Sequence, residues 1–291
     1  PFCRHRCDYC AFATWTDRDH LMVAYVDAVI ADIARAVEKG MPVADTVFFG
    51  GGTPTRLAPE LLASIVSAIP VTSNAEITVE CNPDDVTVEM MKIYAAAGVN
   101  RISMGVQSMV DHVLQSLGRT HDPANVVRAI SAARAGGITS INLDLIYGVH
   151  GESVDDWRTT VEQTIALQPT HISAYGLTVE AGTPLADDPS RHPDDDDQAD
   201  KYVLADDLFS AAGLMNYEIS NWALAGHECR HNQVYWSQGN YTGFGCAAHS
   251  HLDGRRWWNV RTPDRYIDCV ANNETVEASD EVLDAPTRAR E

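Results

Sequence analysis

Short strand-like runs alternate along this chain with helical stretches of about ten residues or more. Apolar residues recur at helical spacing from Met22 through Val26, Val29 and Ile33 to Val37, and again over 59–68, 87–97, 109–117, 123–135, 154–167 and 198–212. Between them lie strand-like runs at 46–49, 76–81, 101–107, 139–147 and 171–178. Strands separated by helices of this length pair in parallel, so the chain reads as α/β, either a doubly wound sheet or a (β/α) barrel. Asp17 or Asp19 is expected to cap the first helix and Gly40 to end it.

The strands discriminate between those two architectures. A parallel sheet covered on both faces should be continuously apolar, yet these strands alternate. Ile77, Val79 and Cys81 oppose Thr78, Glu80 and Asn82; Ile102, Met104 and Val106 oppose Ser103, Gly105 and Gln107; Ile141, Leu143 and Leu145 oppose Asn142 and Asp144. One face suits a coat of helices. The other is small or polar, as a barrel lumen holding a polar ligand requires, with Glu80, Gln107 and Asp144 near the carboxyl ends of their strands. Solvated strand ends remain the plainer alternative.

Charge and composition narrow the function. Lys and Arg number 21 against 41 Asp and Glu, a net charge of −20, which excludes bulk attraction to nucleic acid or anionic lipid. The acidic run at Asp187, Asp188 and Asp194–Asp197 reads as a solvated loop and helix start. Seven cysteines are an odd, clustered set, no apolar run reaches about 18 residues, and no signal peptide opens the chain, so a reducing cytoplasm is expected. The chain starts at Pro1 without Met, and residues 281–291 read as a helix just beginning at Val282 and Leu283. Both ends are therefore expected to be cut from a longer protein.

The densest chemical feature is Cys3-Arg4-His5-Arg6-Cys7-Asp8-Tyr9-Cys10, a C-x3-C-x2-C spacing. Three thiolates within eight residues can converge on one inorganic centre. Structural zinc would need a fourth ligand, and neither His5 nor Cys81 sits at a recognisable zinc spacing. An iron–sulfur cubane on three cysteines leaves one iron open to a small molecule, and Arg4 and Arg6 would help offset its negative charge.

This loop, followed by a barrel with a glycine-rich first turn, resembles the radical S-adenosylmethionine (SAM) superfamily. Five further blocks occur in order: Phe48-Phe49-Gly50-Gly51-Gly52-Thr53-Pro54-Thr55, Glu80-Cys81-Asn82-Pro83, Gly105-Val106-Gln107-Ser108, Leu117-Gly118-Arg119-Thr120-His121 and Asn142-Leu143-Asp144-Leu145-Ile146-Tyr147-Gly148. They are similar to the oxygen-independent coproporphyrinogen III oxidase group. The resemblance implies a partial (β/α)6-type, TIM-like barrel over 1–224, followed over 225–291 by the start of a smaller C-terminal region with a heme-binding motif. It implies that Cys3, Cys7 and Cys10 ligate a [4Fe-4S] cluster whose fourth iron takes the SAM amino and carboxylate groups, and that reductive cleavage yields a 5′-deoxyadenosyl radical. Gly51, Gly52 and Thr53 would then face the methionine amino group, Arg119 the SAM carboxylate, Glu80, Gln107 and Asp144 the ribose and amino groups, and Tyr9 the adenine. The family also places a tyrosine shortly before the position of Pro1.

Within that group the resemblance divides into two functions. The oxidases decarboxylate propionate side chains of coproporphyrinogen III in porphyrin and heme biosynthesis; a related group are heme chaperones that bind heme and deliver it to client hemoproteins. The oxidases resemble C-x3-C-x2-C-x-C, and here Phe12 stands at the position of the fourth cysteine, as in the chaperones. His231-Asn232-Gln233-Val234-Tyr235-Trp236 matches the chaperones' H-N-x-x-Y-W signature, with His231 as an axial heme ligand and Tyr235 and Trp236 packed on the macrocycle. The chaperone reading is preferred, and the oxidase is the alternative. No catalytic acid, base or nucleophile is assigned. His227, Cys229 and His231 would share one side of an extended segment, a spacing that zinc sites rarely use; Cys246, Cys269, His249 and His251 read as packing or surface residues, and Cys81 as a small buried hydrophobe. Heme-receiving clients are the expected partners, while a homodimer and a peripheral membrane contact are left open by the sequence.

Overall fold

The structure, a computed structural model, describes residues 1–284 and 287. The chain runs in order through α1 (Met22–Glu38), β1 (Ala44–Phe49), α2 (Pro59–Ala68), β2 (Val71–Cys81), α3 (Val88–Ala97), β3 (Arg101–Gln107), α4 (Asp111–Ser116) and α5 (Pro123–Ala135). It continues through β4 (Ser140–Tyr147), α6 (Val154–Ala166), β5 (His171–Gly176), α7 (Asp195–Ala211), β6 (Met215–Glu218) and β7 (Asn221–Ala223). The last elements are α8 (Arg230–Trp236), β8 (His249–Leu252), β9 (Arg255–Asn259), α9 (Pro263–Ala271) and β10 (Glu277–Val282). Contacts divide it into two compact units, one of Pro1–Cys3, Ala13–Ile77 and the chain from Cys229, the other of Arg4–Phe12 and Thr78–Glu228. Among the described residues no helix is long and apolar enough to cross a membrane.

In the second unit the end of β2 pairs in parallel with β3, β3 with β4 and β4 with β5, as the alternation of strands and helices requires. The short strands β7 and β6 then continue the edge antiparallel. Val79, Ile102, Met104, Ile141, Leu143 and Leu145 are fully buried on one face. Thr78, Ser103, Asn142, His171 and Ser173 on the other face are buried too. The polar face is buried along these residues; at the carboxyl ends of the strands Gln107 is buried, and Glu80 and Asp144 are half-buried. Helix starts follow from local chemistry: Thr87 caps α3, Asp122 caps α5 ahead of Pro123, Ser153 and Asp156 form a capping box at α6, and Asp194 caps α7. The acidic run is thus partly the first turn of α7, and its Asp197 reaches the buried Lys201 at 2.7 Å. Lys201 also lies 3.1 Å from the Glu152 carboxylate, which accepts the Gly148 N–H and so holds the loop after β4; burial raises the Glu152 pKa.

In the first unit β1 lies beside the first part of β2. A core of Phe2, Tyr25, Val26, Val29, Ile33, Ile65, Tyr266 and Val270 joins α1, α2 and α9. Neither Asp17 nor Asp19 caps α1. A 3-10 turn over Asp19–Leu21 leads into it, while Asp17 and Asp19 pair with Arg18 and Arg56. Gly40, at φ 91°, does end it. The stretch beyond 220 contains elements that the sequence pattern missed, α8, α9 and the three-stranded antiparallel sheet β10-β9-β8. Val282 corrects the expected terminal helix: it closes β10, where it pairs with Arg255, and Leu283 is buried with its N–H bonded to the Gly254 carbonyl. Residues 285, 286 and 288–291 of that expectation lie outside the described residues.

Candidate functional site

The first cysteine is set by the turn that follows β1. Phe2 bridges Trp15 in parallel, the Cys3 N–H bonds to the Trp15 carbonyl (3.1 Å), and the Thr53 N–H bonds to the Phe2 carbonyl (2.8 Å). The Thr53 hydroxyl lies 3.4 Å from Cys3 Sγ. Gly51 uses a left-handed backbone, φ 106°. Gly52 lies so close to the start of the chain that a Cβ would meet the Phe2 carbonyl oxygen at 2.8 Å. The glycines expected to approach a ligand therefore also serve the chain itself, one by conformation and one by contact.

Cys7 and Cys10 belong to the second unit. The Cys10 N–H bonds to the Cys7 carbonyl (3.2 Å), and the Arg6 guanidinium bonds twice to the Cys10 carbonyl (3.2 and 3.1 Å). Arg4 pairs with Asp85 at 2.7 Å, so its charge is already matched. Asp8 ties the loop down: its N–H bonds to Leu117, its carbonyl accepts from Leu185 and its carboxylate pairs with Arg191 (2.9 Å). None of Cys3, Cys7 and Cys10 is in a disulfide, and all three are half-buried.

Arg119 reaches across this unit with all three arms. Its Nη1 is 3.5 Å from Cys7 Sγ, its Nη2 bonds to the Gly105 carbonyl (3.0 Å) and its Nε bonds to His121 Nδ1 (3.3 Å). The other nitrogen of His121 donates to the Val106 carbonyl (2.9 Å), which leaves Nδ1 as an acceptor. Burial, then the Arg119 charge, lowers the His121 pKa to about 4. The sequence pattern carried His121 only as part of a motif; its role follows from the two neighbours it bridges. Gln107 ends β3 in a left-handed conformation, φ 63°, where the pairing with β4 shifts register. Such a strained non-glycine backbone is uncommon and concentrates at functional sites.

Asp144 sits at the upper end of a buried polar chain. Its carboxylate accepts from Ser103 (2.9 Å) and Asn142 (2.7 Å), yet burial raises its pKa. Asn142 in turn accepts from His171 Nδ1 (2.6 Å), and His171 Nε2 meets the Tyr217 hydroxyl (2.6 Å). Burial lowers the His171 pKa well below its ordinary value, so the ring is neutral and Nε2 accepts the Tyr217 proton. Tyr175, also missed from sequence, stands at the end of β5; burial, then the charges of Asp144 and Glu80, raises its pKa. Tyr9 packs with Val113, Leu117, Ile146, Val149, Leu177 and Leu185, and lines a small recess there. Burial raises its pKa against the opposing Arg119 charge.

His231 lies on α8 in the first unit. The Glu76 carboxylate accepts the Arg230 N–H (3.1 Å) and the His231 N–H (3.0 Å), satisfying the exposed donors at the helix start. His231 is buried, its ring stacked on Phe48 with centroids 5.4 Å apart. Its Nδ1 is 2.9 Å from the Thr46 hydroxyl and its Nε2 is 2.7 Å from the Tyr235 hydroxyl. The alternation of His227, Cys229 and His231 does not lie along one extended segment, because α8 starts at Arg230 and Cys229 is turned to Glu76. Among the described residues no three His, Cys, Asp or Glu side chains form a single-ion site.

The profile of the Radical SAM superfamily matches residues 1–164, more than half of the chain. Among solved structures, the coproporphyrinogen III oxidase HemN from Escherichia coli, a radical SAM enzyme, aligns with a TM-score of 0.86 at 21% identity, over 100% of this chain and 72% of that one. The fold is therefore the α/β partial barrel of a radical SAM protein, a class that implies a [4Fe-4S] cluster and SAM. Within the second unit, the half-buried thiols of Cys7 and Cys10, outside any disulfide and with arginine side chains at Cys7 Sγ and at the Cys10 carbonyl, have the chemistry that ligands of such a cluster need. Among curated proteins, the heme chaperone HemW of Mycobacterium tuberculosis is 40% identical over 98% of this chain and 76% of its own length, and that of Bacillus subtilis 37% identical over 93% and 74%. The chain belongs to the HemW family.

Proposed function

We propose that this chain holds a [4Fe-4S] cluster on Cys3, Cys7 and Cys10, binds SAM, and carries heme on His231 for delivery to client hemoproteins. Its heme-chaperone relatives support the heme reading, and one structural observation carries it. The H-N-x-x-Y-W segment forms α8, a short helix pinned by Glu76, with the aromatic faces of Tyr235 and Trp236 partly exposed. An exposed aromatic pair beside a histidine suits a flat, apolar, iron-bearing ligand. Phe12, 61% exposed, stands where the oxidases have cysteine and further favours the carrier.

The cluster, when bound, supplies the electron for SAM chemistry. The chain's own residues do the holding. Arg119 offers a guanidinium to a carboxylate, Glu80, Gln107 and Asp144 offer acceptors to hydroxyl and amino groups, Gly51, Gly52 and Thr53 offer backbone, and Tyr9 borders the apolar recess. In this reading the core over 1–224 handles cluster and SAM, 225–291 carries the heme motif, and the work is done in a reducing cytoplasm.

The test uses anaerobically reconstituted protein. Hemin titration of wild type and of His231→Ala is expected to give different Soret spectra; identical spectra remove His231 as the ligand. Coproporphyrinogen III with SAM and reductant is expected to stay intact. Its decarboxylation would return the oxidase reading.

A further inference from the structure

Both ring nitrogens of His231 are engaged by hydroxyl groups, and the two hydroxyls differ chemically. A neutral imidazole has one donor and one acceptor nitrogen. A phenol is the more acidic O–H and the poorer acceptor, while an aliphatic hydroxyl accepts well. The arrangement that suits both partners has Nδ1–H donating to Thr46 Oγ1 at 2.9 Å and the Tyr235 O–H donating to Nε2 at 2.7 Å. The lone pair on Nε2 is then the one a metal would take, with the opposite nitrogen bonded to a protein acceptor, the usual support for a ligating histidine.

The two hydroxyls also differ in setting. Thr46 is a residue of β1, and the Phe48 ring two residues further on stacks on the imidazole, so this side of His231 is fixed. Tyr235 lies one helical turn from His231 on α8, is 43% exposed, and packs edge-on against Tyr241 at 4.6 Å. A turn of this half-exposed side chain would uncover Nε2.

We propose that Thr46 is a positioning residue that fixes His231 in the Nδ1–H tautomer, and that the Tyr235 hydroxyl is a displaceable cap on Nε2 which an incoming heme iron must replace. The inference rests on the heme reading given above. It assigns Tyr235 a second task beyond packing against the macrocycle: in the absence of heme it protects the ligand nitrogen, and it sets the affinity and the rate at which the bond to iron forms. The proton of Tyr235 stays on its own oxygen throughout, and no redox change is involved.

The experiment combines NMR of the full chain with hemin titration. Long-range proton–nitrogen spectra of the heme-free protein are expected to show His231 protonated on Nδ1. Tyr235→Phe, which keeps the ring, is expected to bind hemin about five-fold tighter and faster, the gain from one fewer hydrogen bond to break. Thr46→Val is expected to weaken binding and lose the histidine-ligated Soret signature, and Thr46→Ser to restore it. An Nε2–H tautomer, or hemin affinity in Tyr235→Phe no higher than wild type, overturns the cap while His231→Ala still reports a ligand. Spectra unchanged in His231→Ala overturn the heme ligand and the cap together.

Discussion

Protonation of His121 should destabilise the protein over a defined pH window. Burial and the adjacent Arg119 charge lower its pKa from 6.5 to about 4. Above pH 6.5 the ring is neutral in both folded and unfolded chains, and its titration contributes nothing. Below 6.5 the unfolded chain gains a proton that the folded chain refuses until about pH 4, so stability falls as the pH falls through this range. Between pH 7.5 and pH 5 the loss comes to about 2 kcal/mol, from 1.36 kcal/mol for each unit separating the two titrations. His121→Gln isolates that loss: its amide can donate to the Val106 carbonyl and accept from Arg119 Nε, but it does not titrate. Urea unfolding of the cluster-free protein, reduced, at both pH values gives the loss for each protein. Groups such as His171 and the carboxylates cancel in the comparison, and wild type should lose about 2 kcal/mol more than the variant. Equal losses, within about 0.5 kcal/mol, would refute the buried neutral imidazole and the positioning of Arg119 that follows from it.

Lys201→Met should leave Glu152 buried without its cation and cost about 3–5 kcal/mol in urea unfolding, with part recovered by adding Glu152→Gln; a loss under about 1 kcal/mol would mean that the buried pair is not formed. Gly52→Ala should cost about 1–3 kcal/mol, because its Cβ would meet the Phe2 carbonyl oxygen at 2.8 Å, and unchanged stability would contradict that close contact. Cys7→Ala should leave the reconstituted protein without labile iron and sulfide; a full complement of both would remove Cys7 from the ligand set.

The strands were legible because alternation reports two differently covered faces: Thr78, Ser103 and Asn142 are buried, as a polar interior requires. The helices α2, α3, α5, α6 and α7 were legible because each, at ten residues or more, is long enough for the 3.6-residue period to repeat. α8 was not, because seven residues of mixed aromatic and polar type carry less than two full turns and its start is satisfied by Glu76, distant in sequence. The terminal strand β10 hid for the opposite reason: its partner β9 is rich in arginine, and the acidic strand EASDEV suits that partner through charge rather than through apolar alternation. At the candidate site, residue types announced the ligands but not their neighbours. His121 and Tyr175 gain meaning only from Arg119, Asp144 and Glu80, and no sequence pattern marks Gln107 as left-handed.

The buried chain from Tyr217 through His171 and Asn142 to Asp144 is continuous in hydrogen bonds but not in proton conduction. A hydroxyl or an imidazole can take a proton on one side and release one on the other. The amide of Asn142 cannot, because it accepts on oxygen and donates from nitrogen without exchanging the two. Asn142 therefore acts as an insulator: it fixes the polarity of every group along the chain and blocks traffic between the two ends. The charge state of Asp144 is governed from the end of the strand where it stands, and the imidazole two steps below never shares its proton.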